Sequence, residues 1–191
     1  VTETPTVEFR RYGATQAREL RDTVEDIYRH SYVDAVSGGD PFDTPAEFMR
    51  RFDAYTHPDR GPGFELVMAW ADGAAIGQSW GWPLRPNTAW WGGLRLDDGD
   101  HAAFTAEDGS RTFALSEIMV HADRTGRGIA RELHDELLRG RPERRATLLV
   151  DPDNERAYAA YRRWGWRRVG SLLPGWGNAP TFDVLIRDLP L

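Results

Sequence analysis

Apolar and polar positions along the first half of the chain mark out a short list of elements. Val7 to Tyr12 reads as a first strand. Ala17, Leu20, Val24, Ile27 and Tyr28 then recur at helical spacing, which predicts a helix from about Thr15 to Ala35. Gly38-Gly39-Asp40-Pro41 ends it, and Pro45 to Tyr55 reads as a second, short helix. Phe64 to Ala71 is a strand candidate, Asp72-Gly73 supplies a turn, and Ala75 to Trp82 returns as the hairpin partner. From Pro83 to Arg111 the pattern weakens into Gly, Asp and Trp. One more strand is predicted around Trp90 to Leu96, then a loop through Asp97-Asp98-Gly99-Asp100.

The second half is more regular. Thr112 to Val120 predicts a strand, Arg127 to Arg139 a helix closed by Gly140, and Ala146 to Val150 another strand. Asp153 to Trp164 predicts a helix closed by Gly165, and Trp166 to Leu172 and Thr181 to Ile186 two last strands. Strand, Gly-turn, helix, strand, helix is an α/β order with a crossover, which gathers loop ends at one edge of a sheet.

Composition narrows the classes. The 191 residues show neither an internal repeat nor a linker, so a single domain over residues 1–191 is expected. Eight Trp, eight Phe and six Tyr are enough for a sizeable core. No apolar run is long enough to span a bilayer, and Val1 to Arg11 has no apolar core of a signal peptide. A cytoplasmic protein without a membrane partner is therefore expected. Cysteine is absent, which excludes disulfides, thiolate metal sites and a Cys nucleophile. All 24 basic residues are Arg, and the net charge of -6 is the wrong sign for a nucleic-acid partner. An acidic body weakly favours a cationic small substrate. The five His residues (30, 57, 101, 121, 134) show no ligand spacing, so no metal is expected. The acidic loop Asp97 to Asp100 falls short of an EF-hand and reads as a solvated turn.

Against this acidic background the turn Arg124-Thr125-Gly126-Arg127-Gly128-Ile129-Ala130-Arg131 stands out. Small residues at 126, 128 and 130 permit close backbone approach, and a helix starting here aims unpaired N–H groups outward. This is either a seat for a pyrophosphate or a glycine-softened helix start with solvated Arg. The Rossmann pattern needs Gly where Arg131 sits, and the Gly-Lys-Ser/Thr of a P-loop is absent. Downstream, Thr147-Leu148-Leu149-Val150 is followed by Asn154, Ala157, Tyr161, Gly165 and Trp166. Ala157, Ala160, Tyr161 and Trp164 share one helical face, so Tyr161 should point inward, as an ordinary core aromatic also would.

The two segments together resemble the acetyl-CoA motifs of the GNAT superfamily of N-acetyltransferases, over about Phe113 to Val169. Gly128 and Ala130 match the signature Gln/Arg-x-x-Gly-x-Gly/Ala, whereas Thr125 departs from its first position and an Arg lies one residue earlier. The resemblance implies an α/β (α+β) fold with a mixed central sheet of six to seven strands flanked by about four helices. Splayed parallel strands, here Thr112–Val120 and Ala146–Asp151, would hold the pantetheine arm of acetyl-CoA between them. It further implies that backbone groups of Ile118, Met119 and Val120 bond that arm and that Asn154 binds it. Arg124, Thr125, Gly126, Arg127, Gly128, Ile129, Ala130 and Arg131 would seat the pyrophosphate. Tyr161 would protonate the departing thiolate after direct attack by a primary amine, one on a small molecule in this reading. Dimers are common in such proteins, which leaves room for a homodimer.

A base must take a proton from the ammonium substrate. Glu117 is the candidate, because a carboxylate amid Phe113, Leu115 and Met119 tends to a raised pKa. Pairing with an Arg or capping a backbone group is the equal alternative. Asp151, His121 and an ordered water chain stand in reserve. Trp80, Trp82 and the loop Gly175-Trp176-Gly177-Asn178 could wall an acceptor pocket, although Trp at strand positions is more often core. Two other readings compete. Gly77-Gln78-Ser79-Trp80-Gly81 matches the nucleophile elbow of serine hydrolases, which needs a strand-to-helix turn that Trp82-Pro83 does not favour. An acyl-CoA-binding sensor without turnover would share the fold, against which Tyr161 and Asn154 argue.

Overall fold

The computed structural model describes residues 6–175 and 179–191. Among these, strand β1 (Glu8–Gly13) leads into three short helices, α1 (Ala14–Glu19), α2 (Arg21–Ser31) and α3 (Val33–Gly38), and then α4 (Pro45–Thr56). Strands β2 (Glu65–Ala71), β3 (Ala74–Pro83) and β4 (Leu94–Leu96) precede helix α5 (His101–Thr105) and strand β5 (Thr112–Val120). Helix α6 (Ile129–Leu138), β6 (Arg145–Val150), α7 (Glu155–Arg163), β7 (Arg167–Leu172) and β8 (Phe182–Asp188) complete the order. This is a mixed α/β fold. Among the described residues it has eight strands and seven helices, against six to seven strands and about four helices expected. The eight strands fall where the sequence pattern marks them one by one, and the extra helices arise because the first helical stretch is divided and α5 lies where no element is predicted. No helix among the described residues is long and apolar enough to cross a membrane.

The chain packs as two compact units interleaved in sequence, one of residues 1–81 with 117–137 and the other of residues 82–116 with 138–191. In the first unit the strand order is β1-β2-β3 followed by the second half of β5. β1 and β2 pair antiparallel from Glu8↔Trp70 to Gly13↔Glu65. β2 and β3 form the expected hairpin, with Asp72 at φ +52° and Gly73 at φ +79°. Two left-handed central residues give the turn that matches strand twist, which is why Asp-Gly stands there. β3 is covered on both faces. A Cβ on Gly77 would meet the Leu133 side chain of α6 at 3.1 Å, while its neighbour Gln78 donates 3.1 Å to the Val24 carbonyl of α2.

The helix predicted over Thr15 to Ala35 is broken at Leu20 (φ -96°, ψ 16°) and Tyr32 (φ -113°, ψ 45°). The first break has a visible cause. Arg18 of α1 donates to the Thr56 carbonyl at the end of α4, and Arg21 of α2 makes a two-pronged pair with Asp53 at 2.9 and 3.0 Å. α1 and α2 are each tied to α4, and tertiary contacts override a continuous periodicity.

In the second unit the order is the first half of β5, then β6-β8-β7-β4. β5 and β6 are parallel over Thr112↔Arg145, Phe113↔Ala146 and Ala114↔Thr147, where the described ladder ends. β6 meanwhile pairs with β8 along its full length. The core here is Leu84, Trp91, Leu94, Ala114, Leu172, Val184 and Ile186, with Trp82 and Trp90 packed against it. The strand predicted at Trp90 shrinks to Leu94–Leu96 because Gly92 N–H and Leu94 N–H close turns onto Ala89 and Trp91. The acidic loop beyond it is bonded and not merely solvated. Asp100 caps α5 by accepting from Ala103 N–H at 3.1 Å, and Asp97 pairs with Arg168. At the other end of α5, Arg111 donates to the Ala103 and Phe104 carbonyls.

Candidate active site

The site residues read from sequence fall into two regions, one in each unit. In the first unit β5 brings Glu117, Ile118, Met119 and Val120 past β3. Ser79 Oγ donates to the Glu117 carbonyl at 3.0 Å, and Gln78 Nε2 lies 3.3 Å from Met119 Sδ. Met119 and Val120 are buried, whereas Glu117 and Ile118 are half-buried. Removal from water pushes the Glu117 carboxyl up to about 7, against the opposing charge of Arg51 on α4. The same carboxylate acts on two phenols. Burial first, then Asp43 and Glu117, push Tyr28 up to about 12; burial and Glu117 raise Tyr55 against Arg60. Tyr28 stacks on Phe48 with ring centroids 4.0 Å apart and donates to the Asp43 carbonyl. Nothing local in the sequence connects Arg51, Tyr28 and Tyr55 to Glu117.

After β5, Thr125 Oγ1 donates to the Ala122 carbonyl at 3.0 Å, which turns its hydroxyl back into the chain. Gly126 and Gly128 sit at φ +77° and +82°, a region side-chain-bearing residues seldom enter, and a Cβ built at either meets nothing within 4 Å. Glycine is required here by conformation, and the surrounding space is open. Gly128 caps α6, its carbonyl accepting from Glu132 N–H at 3.1 Å, and it brings no side-chain oxygen to the N–H groups of Ile129, Ala130 and Arg131. The arginines are less uniform than their spacing suggests. Arg127 is exposed, Arg124 lies 3.5 Å from Asp123, and Arg131 pairs along the helix with Asp135 at 2.6 Å.

In the second unit Asn154 is the cap of α7. Its side-chain oxygen accepts from Ala157 N–H at 3.1 Å, and Asp151 accepts from Asp153 N–H at 2.9 Å. Asp151, a reserve base, is thus engaged in the turn. Tyr161 is buried as its helical face demanded, with ring centroids 5.6 Å from Trp164 and 6.2 Å from Trp166, both edge-on. Gly165 closes the helix at φ +85°.

The less favoured alternatives fall away. Ser79 is fully buried in the middle of the continuous strand Ala74–Pro83, so the strand-to-helix turn of a nucleophile elbow is absent. Trp80 is core: it is fully buried, with Phe48, Phe52, Tyr55 and Phe64 at 5.8 to 6.1 Å between ring centroids. Trp82 packs beside Trp90 at 6.0 Å in the other core. Trp176, Gly177 and Asn178 of the late loop lie outside the described residues.

The model of a family described as the acetyltransferase (GNAT) family matches residues 21–166, which includes both regions. Comparison with curated proteins gives no match. Among solved structures, an acetyltransferase from Thermus thermophilus superposes with a TM-score of 0.63 at 16% identity, covering 96% of this chain and 97% of that one. The PaiA N-acetyltransferase from Thermoplasma acidophilum, solved with coenzyme A, gives 0.59 at 11% identity, covering 96% and 99%. A GNAT superfamily phosphinothricin acetyltransferase from Sinorhizobium meliloti, solved with AcCoA, gives 0.58 at 20% identity, covering 96% and 89%. At these identities the likeness is one of fold.

Proposed function

This chain belongs to the GNAT family of acetyltransferases, and on that footing we propose that it moves the acetyl group of acetyl-CoA to a primary amine of a small molecule. The observation that carries the reading is the open N-terminus of α6. Two exposed, positive-φ glycines precede helix N–H groups that no cap side chain from Gly128 serves. Such an N-terminus attracts anionic oxygen through its N–H groups and the helix dipole. The pyrophosphate of acetyl-CoA is the anion proposed for it. Arg124 and Arg127 supply charge, with the backbone from Thr125 to Arg131 as the cradle. Ile118, Met119 and Val120 offer backbone partners for the pantetheine arm, and Asn154 the amide N–H2 that its capping oxygen leaves over.

The chemistry follows from the side chains. The amine nitrogen bonds to the thioester carbonyl carbon, the C–S bond breaks, and coenzyme A leaves as a thiol. Glu117 takes the nitrogen's proton; a base with a pKa near 7 is half deprotonated at neutrality, where proton acceptance is efficient. Tyr161 gives its phenolic proton to the sulfur and recovers one from solvent. Holding both reactants together supplies much of the acceleration, and no acyl-enzyme is needed. The net charge of -6 favours a cationic acceptor.

A thiol-release assay with acetyl-CoA and a panel of polyamines, aminoglycosides and amino acids tests this. Amine-dependent release is expected, and Tyr161→Phe should lose roughly two orders of magnitude of it with acetyl-CoA affinity unchanged. Binding without release for every amine would leave a sensor, not a transferase. Full activity in Tyr161→Phe would remove the acid role.

A further inference from the structure

One cluster in the first unit takes no part in acyl transfer. Asp26 and His30 stand one turn apart on α2, and His121 follows β5 directly, before the turn that opens α6. One donor atom from each lies within 4.8 Å of the other two. The imidazole rings of His30 and His121 are 5.0 Å apart between centroids, with their planes at 32°. His30 Nδ1 sits 2.9 Å from the Asp26 carbonyl oxygen and 3.3 Å from its carboxylate. The Nε2 atom of His121 is buried and has no hydrogen-bond partner among the described residues. An unmet buried nitrogen costs about 1–3 kcal/mol, and here it belongs to a residue beside two further ligand-type side chains.

We propose that Asp26, His30 and His121 form a binding site for a divalent transition-metal ion of the zinc or nickel type, which joins α2 to the end of β5. Two imidazoles and one carboxylate suit borderline ions of this kind and not magnesium or calcium, which take oxygen donors. The i,i+4 spacing puts Asp26 and His30 on one helical face. Bonds of about 2.0–2.2 Å place tetrahedral donors roughly 3.3–3.6 Å apart, so the donors need close by no more than about 1.5 Å. Asp26 and His30 are exposed and have the rotamer freedom to supply that movement. Three protein ligands leave a position for water or an anion.

The site stands apart from acetyl transfer and is tested without it. The chelator-treated full chain is titrated calorimetrically with Zn2+ and Ni2+, with Mg2+ as control. One equivalent should bind with micromolar affinity or better, Mg2+ should not, and Asp26→Asn, His30→Ala and His121→Ala should each weaken binding more than about tenfold. The Cu2+ form should show two nitrogen ligands by electron paramagnetic resonance, falling to one in His30→Ala. Should His121→Ala fail to fold, the two exposed substitutions carry the test. Absence of binding, or unchanged affinity and nitrogen count in His30→Ala, overturns the proposal and leaves surface adsorption only.

Discussion

Helices α6 and α7 each follow a strand of the parallel pair, yet they begin in opposite ways. α7 is closed by its own chain: Asn154 serves Ala157 N–H, and Asp151 serves Asp153 N–H. α6 starts at Gly128, which has no side chain to offer, after a turn exposed from Thr125 to Gly128. A side-chain cap is worth about 1 kcal/mol; of these two helices α6 forgoes it, as the short α2 and α3 also do. One helix start is finished by its own side chains, and the other is the one proposed to take the pyrophosphate of acetyl-CoA. Glu117 adds to the asymmetry, since its half-buried carboxyl near neutrality is also a cost in the folded state.

The strongest way to break the comparison is at Glu117. Glu117→Gln should lower kcat/KM by about 10²–10⁴ and abolish the rise of activity with pH through about 7, while acetyl-CoA affinity holds. Stability should move the other way. The folded pKa lies above the unfolded one, so wild type loses stability as pH rises from the ordinary carboxyl range through about 7. The variant should therefore melt higher than wild type above pH 7 and equally at pH 4, as thermal denaturation would show. An unchanged pH profile would remove Glu117 as the base and leave the role to ordered water.

A smaller effect is expected at the open helix start. Gly128→Val forces a β-branched residue to φ +82°, at a cost of about 1–2 kcal/mol, and should weaken acetyl-CoA binding more than about tenfold. Unaltered affinity would mean that the turn is only a helix start. Smallest of all are the changes at the closed one. Asn154→Ala should cost about 1 kcal/mol of stability. Asn154→Asp keeps a capping oxygen, so it should melt like wild type while losing the amide donor and a few-fold of acetyl-CoA affinity. If both variants bind acetyl-CoA as wild type does, Asn154 is a cap and nothing more.

What could be read from the sequence was local. The Asp72-Gly73 hairpin, the glycines before α6, and the inward face carrying Tyr161 each rest on a few neighbouring residues whose spacing states their geometry. What escaped was set by distant partners. Whether Trp80 walls a pocket or fills a core depends on Phe48, Phe52 and Phe64, which other elements supply. The break at Leu20 depends on Thr56 and Asp53 of α4, and the surroundings of Glu117 on two helices. Helix α5 spans five residues, too few for a periodicity to register. His121 lies far along the chain from Asp26 and His30, and a search for His spacing passes over an Asp-His pair.

The start of α6 is proposed as the seat of acetyl-CoA. Calorimetric titration of the wild-type chain with acetyl-CoA, beside ATP and NAD, tests it most directly. Acetyl-CoA should bind tightly at one site per chain, with little heat from the other two. No binding at millimolar acetyl-CoA would contradict it, and the glycine turn would then be a helix start alone.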